Sequence, residues 1–220
     1  MKVILFGATG MVGQGVLREC LADDSIDRVL SIGRRSIQQT HAKLHEWVRE
    51  DMFDFNVDHA TLKEYDACFF CLGVSSAGMN EANYRRLTFD LTIGWAKTLA
   101  KFNPAMTFIY VSGAGTGGKA NWAQVKGRTE NALLELFDNA YMFRLAVLRP
   151  MHGERSKTNW TRISYSIFKP LLPLVKLLAP AAIITTEELG RAMIRVAHDG
   201  ASKHVLENRD LIALGSKDEG

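Results

Sequence analysis

At 220 residues, with 47% hydrophobic and 23% charged residues, the chain is long enough for one globular domain with at most a small appendage. Its net charge of +3 is small and scattered, which argues against a nucleic-acid partner. Three cysteines without disulfide spacing point to a reducing cytoplasm, and the apolar run at the start is too short for the core of a signal peptide.

The first element is Lys2-Val3-Ile4-Leu5-Phe6, an apolar run rich in β-formers. Gly7-Ala8-Thr9-Gly10-Met11-Val12-Gly13 follows, and Val12, Val16, Leu17 and Leu21 then recur at helical spacing over 11–21. This reads as buried strand, tight glycine turn and helix. Glycines let the backbone turn sharply and approach a ligand, and the helix beyond aims its free N–H groups and positive dipole end at an anion. The spacing is G-x-x-G-x-x-G, not the more common G-x-G-x-x-G. Its place directly after a strand and before a helix favours a phosphate-binding turn over a plain βα connection.

Residues 28–33 form the second strand. An NAD-binding chain keeps an acidic residue near the end of this strand for the ribose hydroxyls. Here Arg34 and Arg35 stand there. A guanidinium suits a 2′-phosphate by charge and by its forked donors, so NADP(H) is expected ahead of NAD(H).

A third strand lies within 43–51 and leads into Asp51-Met52, and 66–73 is a fourth strand with its exit, apolar on both faces as a central parallel strand should be. Cys68-x-x-Cys71 sits in that run, where residues three apart face opposite sides, so both cysteines are assigned to the core rather than to a redox pair. Residues 81–102 read as a long helix with Leu87, Leu91, Trp95 and Leu99 along one stripe. The fifth strand spans 106–112, a loop with four glycines spans 113–118, the next helix 121–137, and the sixth strand 142–148, ended by Arg149-Pro150.

Strands alternating with helices predict an α/β fold, a Rossmann-type doubly wound parallel sheet with right-handed crossovers. Ligands bind such sheets at the carboxyl ends of the strands, where Gly7, Gly33, Asp51, Gly73, Ser112 and Pro150 should converge. Residues 1–150 are read as the nucleotide-binding core, and 151–220 as a small C-terminal, substrate-side extension of the same domain. Residues 165–184 are apolar but carry Lys169, Lys176 and three prolines, which argues against a membrane-spanning helix. A helix closing over a substrate cavity is preferred to an interfacial membrane segment. Thr185 and Glu188 form a capping box for a helix that turns Leu189, Met193 and Val196 inward and ends at Asp199-Gly200. Residues 203–206 are short and extended.

The matching pieces GATGMVG at 7–13, SIGRR at 31–35, Asp51-Met52, CLG at 71–73, YVSGAG at 110–115, WAQVKGRTE at 122–130 and RP at 149–150 resemble the atypical short-chain dehydrogenase/reductases. The nearest branch is the Tat-interacting-protein-like group, with NmrA-like proteins and sugar-nucleotide epimerases further off. The similarity runs to about residue 200. It implies that the pyrophosphate and adenosine ribose lie against Gly7, Thr9, Gly10, Met11, Val12, Gly13, Arg34 and Arg35. It places the adenine side at Asp51, Met52, Leu72 and Gly73, and Pro150 at the cofactor edge. The family's catalytic serine falls on Ser112, and its lysine, which anchors the nicotinamide ribose, on Lys126.

The family's tyrosine belongs four residues before that lysine, where this chain has Trp122. An indole N–H donates a hydrogen bond but does not titrate, so Trp122 is no acid–base group. Tyr165-x-x-x-Lys169 repeats the spacing on the wrong segment, with Pro170 beside the lysine, and is set aside. Two functional classes remain open. One is an NADP-dependent oxidoreductase on a small carbonyl or hydroxyl substrate, its proton supplied by Ser112, Tyr84, Tyr165, His152 or water; a sugar-nucleotide epimerase-like enzyme is a variant of it. The other is a regulator that senses NADP(H) without chemistry. No metal site is expected, the partner is a small molecule, and the assembly is a monomer or a homodimer.

Overall fold

The computed structural model describes residues 1–154 and 182–216. Nine strands and seven helices, with one π-helical turn, are found among them. Seven strands form one parallel sheet in the order β3-β2-β1-β4-β5-β6-β9. These are β1 (Lys2–Phe6), β2 (Arg28–Gly33), β3 (Leu44–Val48), β4 (Ala67–Phe70), β5 (Thr107–Gly113), β6 (Ala140–Leu145) and β9 (Val205–Glu207). Strand order reverses between β1 and β4, which opens a crevice at the carboxyl edge.

Alternation along each strand divides the core in two. Val3, Leu5, Phe69, Ile109 and Phe143 face α1 (Met11–Ala22), α6 (Thr186–Asp199) and α7 (Asn208–Gly215). Ile4, Phe6, Phe70, Phe108, Tyr110 and Met142 face α2 (His59–Leu62), α4 (Leu91–Phe102) and α5 (Asn121–Leu136). The capping box of Thr185 and Glu188 is present, and Leu189, Met193 and Val196 are buried. Cys20, Cys68 and Cys71 are free thiols, and burial pushes each thiol up from its ordinary range, so none is a ready nucleophile.

Three elements differ from the expectations. The helix over 81–102 is α3 (Glu81–Arg85), a π-helical turn (Arg86–Asp90) and α4. The wider turn re-phases the stripe, so Tyr84, Thr88, Leu91, Trp95 and Leu99 are buried while Leu87 is only half-buried. The sixth strand is broken into β6 and β7 (Val147–Arg149), and β7 pairs with β8 (Ile183–Thr185) in a separate two-stranded sheet. The Asn208 side chain accepts from the Ala146 N–H at 3.1 Å, taking that group out of the ladder at the break. The short extended piece near 205 is β9, the outer strand of the main sheet. The apolar run over 165–181, with Tyr165, Lys169 and the proposed closing helix, lies outside the described residues.

Candidate functional site

The turn after β1 is tight and lined by glycines. Gly7 has φ +82°, the left-handed region open to glycine, and its carbonyl accepts from Gly10 N at 2.9 Å. A Cβ at Gly7 would stand 2.7 Å from Cys71 C and Leu72 N, so the turn is pressed against the exit of β4. A Cβ at Gly13 would stand 2.6 Å from Gly7 C and 2.8 Å from Ala8 Cα. The N-cap of α1 is Gly10, with no side-chain cap and no acidic residue in the first turn. The opening amides of α1 therefore have no side-chain acceptor and lie at the positive end of the helix dipole. A diphosphate supplies what they lack, so these residues fit the pyrophosphate of a dinucleotide.

On one side of this cradle lies the end of β2. Gly33 O accepts from Arg49 N at 2.9 Å, and Arg34 and Arg35 extend beyond it, exposed and without an ion pair among the described residues. Glu46 of β3 pins the chain behind them, accepting from Ile37 N at 2.7 Å and Ser36 Oγ at 3.1 Å. Asp51 is exposed and accepts from Phe53 N at 2.8 Å. Met52 is buried, and its carbonyl accepts from Trp95 Nε1 at 2.9 Å. Leu72 and Gly73 follow β4, and Pro150 follows β7. Thr9, Met11 and Val12 are half-buried around the glycine turn, and the Thr9 carbonyl accepts from Gln14 Nε2 at 3.0 Å.

Beyond the crevice, β5 and α5 bring together the residues expected to face the nicotinamide. Ser112 shares the face of Phe108 and Tyr110 and so points at α5. It is buried, and its hydroxyl donates to Glu130 Oε1 at 2.6 Å. Glu130 is buried too, and Arg144, the register partner of Ser112 on β6, forks onto it with a shortest contact of 2.6 Å. The Lys126 ammonium donates to Val111 O at 3.4 Å and lies 5.5 Å from the centre of the Tyr110 ring. Burial pulls its pKa down to about 8, against the pull of Glu130 one turn along the helix. Trp122 is half-buried, with its indole against the glycine loop: a Cβ at Gly115 would stand 3.7 Å from Trp122 Cη2, and one at Gly113 would stand 4.0 Å from Cζ3.

The other proton sources considered are placed less favourably. Tyr84 is buried, its phenol pushed up by burial. His152 pairs with Glu187 at the start of α6, on the opposite face of the sheet from α5. Tyr165 lies outside the described residues. Glu130 and Arg144 had no role assigned from sequence. The available signal was a carboxylate on the same helical stripe as Ala123, Lys126 and Leu133, which demands a partner once buried. Among the described residues no group of His, Cys, Asp and Glu is arranged to hold a metal ion, and no helix is long and apolar enough to cross a membrane.

The same fold recurs among solved structures. MoeE5, solved with UDP-glucose and NAD, superposes with a TM-score of 0.69 at 15% identity, covering 94% of this chain and 75% of that one. No family model matches the chain. Its relatives are more specific. FMP52 of Chaetomium globosum, a mitochondrial protein by name, is 29% identical over 226 residues, 96% of each chain. The mitochondrial fmp52 of Emericella nidulans is 30% identical over 169 residues, 71% of this chain and 70% of that one. HTATIP2 of Rattus norvegicus is 26% identical over 227 residues, 100% of this chain and 91% of that one. The chain belongs to the FMP52 and HTATIP2 family of atypical short-chain dehydrogenase/reductases. These relatives overturn the expectation of a cytoplasmic protein, since FMP52 proteins carry a mitochondrial designation. Three cysteines without disulfide spacing do not identify a compartment.

Proposed function

We propose that the chain is an NADP(H)-binding oxidoreductase acting on a small carbonyl or hydroxyl substrate. The observation that carries this reading is the uncapped, acid-free N-terminus of α1 inside a glycine turn too tight for any Cβ at Gly13. In it the amides of Met11, Val12 and Gly13 meet the pyrophosphate, and Arg34 and Arg35 meet a 2′-phosphate. Asp51, Met52, Leu72 and Gly73 border adenosine, Pro150 borders the cofactor edge, and Lys126 donates to the nicotinamide ribose hydroxyls. When bound, the nicotinamide supplies or accepts a hydride. The unpaired exposure of Arg34 and Arg35 supports the phosphate preference.

One charge-assisted contact contributes about 1.5–3 kcal/mol, so NADPH is expected to bind about ten- to a hundredfold more tightly than NADH. Arg34→Ala and Arg35→Ala should each close part of that gap. Fluorescence titrations of both dinucleotides at one ionic strength check it, and equal affinities in the wild type would refute the phosphate assignment.

Trp122 favours a second reading, an NADP(H) sensor without turnover. Its indole lies against the loop after Ser112 and brings no titratable proton. Trp122→Tyr separates the two. Under the sensor reading the wild type turns over no member of a carbonyl panel with NADPH, and the variant, with a phenol four residues before Lys126, gains reductase activity. Under the oxidoreductase reading the wild type is already active, and its pH–rate profile lacks the alkaline limb of a perturbed tyrosine.

A further inference from the structure

Ser112, Lys126, Glu130 and Arg144 form one polar cluster between β5, β6 and α5, with the Tyr110 ring beside Lys126. Ser112 has a single hydroxyl hydrogen, and Glu130 Oε1 takes it at 2.6 Å. A serine so engaged keeps lone pairs but no hydrogen to offer a substrate oxygen. Glu130 stands one helical turn beyond Lys126, and Arg144 closes on it from the far side through Nε and Nη2.

The charges alternate through the cluster. Lys126 is followed by Glu130, then Arg144, then Glu207 of β9 at 3.2 Å from Arg144 Nη1. Facing them, Tyr110 of β5 and Tyr84 of α3 are uncharged at neutral pH, since burial pushes both phenols up. Without Glu130, two cations would face each other across the interior, with only half-exposed Glu207 as counter-charge. The desolvated amine would then be the group to give up its proton.

We propose that Glu130 is the positioning residue of this site: its carboxylate takes the Ser112 hydrogen and sets a negative charge one turn from Lys126, so that Ser112 acts only as an acceptor and the lysine remains an ammonium that donates to ribose hydroxyls. The ribose rests on the dinucleotide reading above; the protonation of Lys126 does not.

The experiment uses the full chain without added dinucleotide. Lysine side chains are labelled with 15N and titrated by NMR, with Lys126→Met as the assignment control. The Lys126 midpoint, near pH 8 in the wild type, is expected to fall by about one pH unit or more in Glu130→Gln. Removing one partner of a buried pair is destabilising, whereas removing both is far milder, so E130Q/R144M serves if Glu130→Gln fails to fold. A smaller fall in the same direction is expected there, since the Arg144 cation leaves together with the carboxylate that held the lysine charged. An unchanged midpoint in a folded variant would overturn the proposal and leave Glu130 a structural ion pair. NADPH affinity is then followed against pH. A loss of affinity that sets in at lower pH in the variant supports the link to ribose, and a uniform weakening at every pH overturns it. If the wild type binds neither NADPH nor NADH, the dinucleotide reading fails while the Lys126 titration still decides the role of Glu130.

Discussion

Gly13→Ala is expected to abolish measurable dinucleotide binding and to lower stability by about 1–3 kcal/mol. The added methyl would meet Gly7 C at 2.6 Å and Ala8 Cα at 2.8 Å, and both are backbone atoms. No rotamer relieves such a contact, so either α1 moves away from the turn or the turn opens. Moving α1 disturbs Val16, Leu17 and Cys20 in the core that α1 shares with α6. Opening the turn breaks the Gly10 N to Gly7 O bond and misaims the amides proposed to meet the pyrophosphate. Chemical denaturation and a fluorescence titration on the same sample read the two effects. A variant of wild-type stability that still binds NADPH would show that the turn is not the cradle.

Lys126→Met is expected to make the protein more stable while weakening dinucleotide binding at least tenfold. Burial lowers the Lys126 pKa from 10.5 to about 8, so the folded state disfavours the charged amine. The penalty is fully present below pH 8 and fades as the pH rises from 8 towards 10.5, where the unfolded chain also loses the proton. Its size at neutral pH is about 3 kcal/mol as an order of magnitude. Methionine keeps the length and volume without the charge, and so removes the penalty. The denaturation midpoint of the wild type should therefore rise relative to the variant between pH 8 and 10, with the two curves converging at the alkaline end. Dinucleotide affinity in the wild type should fall over the same interval as the ammonium is lost. Parallel stability curves for the two proteins would contradict a desolvated lysine at this position. A stabilising substitution that weakens binding is the pattern of a side chain held for function at the expense of the fold.

The sequence by itself determined the elements that repeat a local rule. The continuous apolar runs of β1, β2, β4 and β5 and the helical stripe of α1 are properties of neighbouring residues, as is the capping box of Thr185 and Glu188. The glycine turn was legible for the same reason, because Gly7, Gly10 and Gly13 are close in the chain and the strand and helix flank them directly. With all main-sheet strands parallel, their carboxyl ends share one edge, which is why residues as distant as Gly7, Gly33, Asp51, Gly73 and Ser112 were expected together from topology alone.

Only the tertiary structure decided what those residues touch. The kink at Ala146 depends on Asn208, 62 residues away, and the outer position of β9 depends on pairing with β6, neither of which a local pattern encodes. The π-helical turn at Arg86–Asp90 shifts the first position of the stripe by one residue, so Leu87 loses its place in the core to Thr88 while Leu91, Trp95 and Leu99 keep theirs. Most consequential is Ser112. The family resemblance made it one of several candidate proton sources, yet strand alternation turns it towards α5, where Glu130 takes its hydrogen and Arg144 secures the carboxylate from β6. A hydrogen-bond partner 18 residues along the chain and an ion-pair partner 14 beyond that become neighbours only when β5, α5 and β6 pack, and that packing, not the motif, sets which proton each group can give.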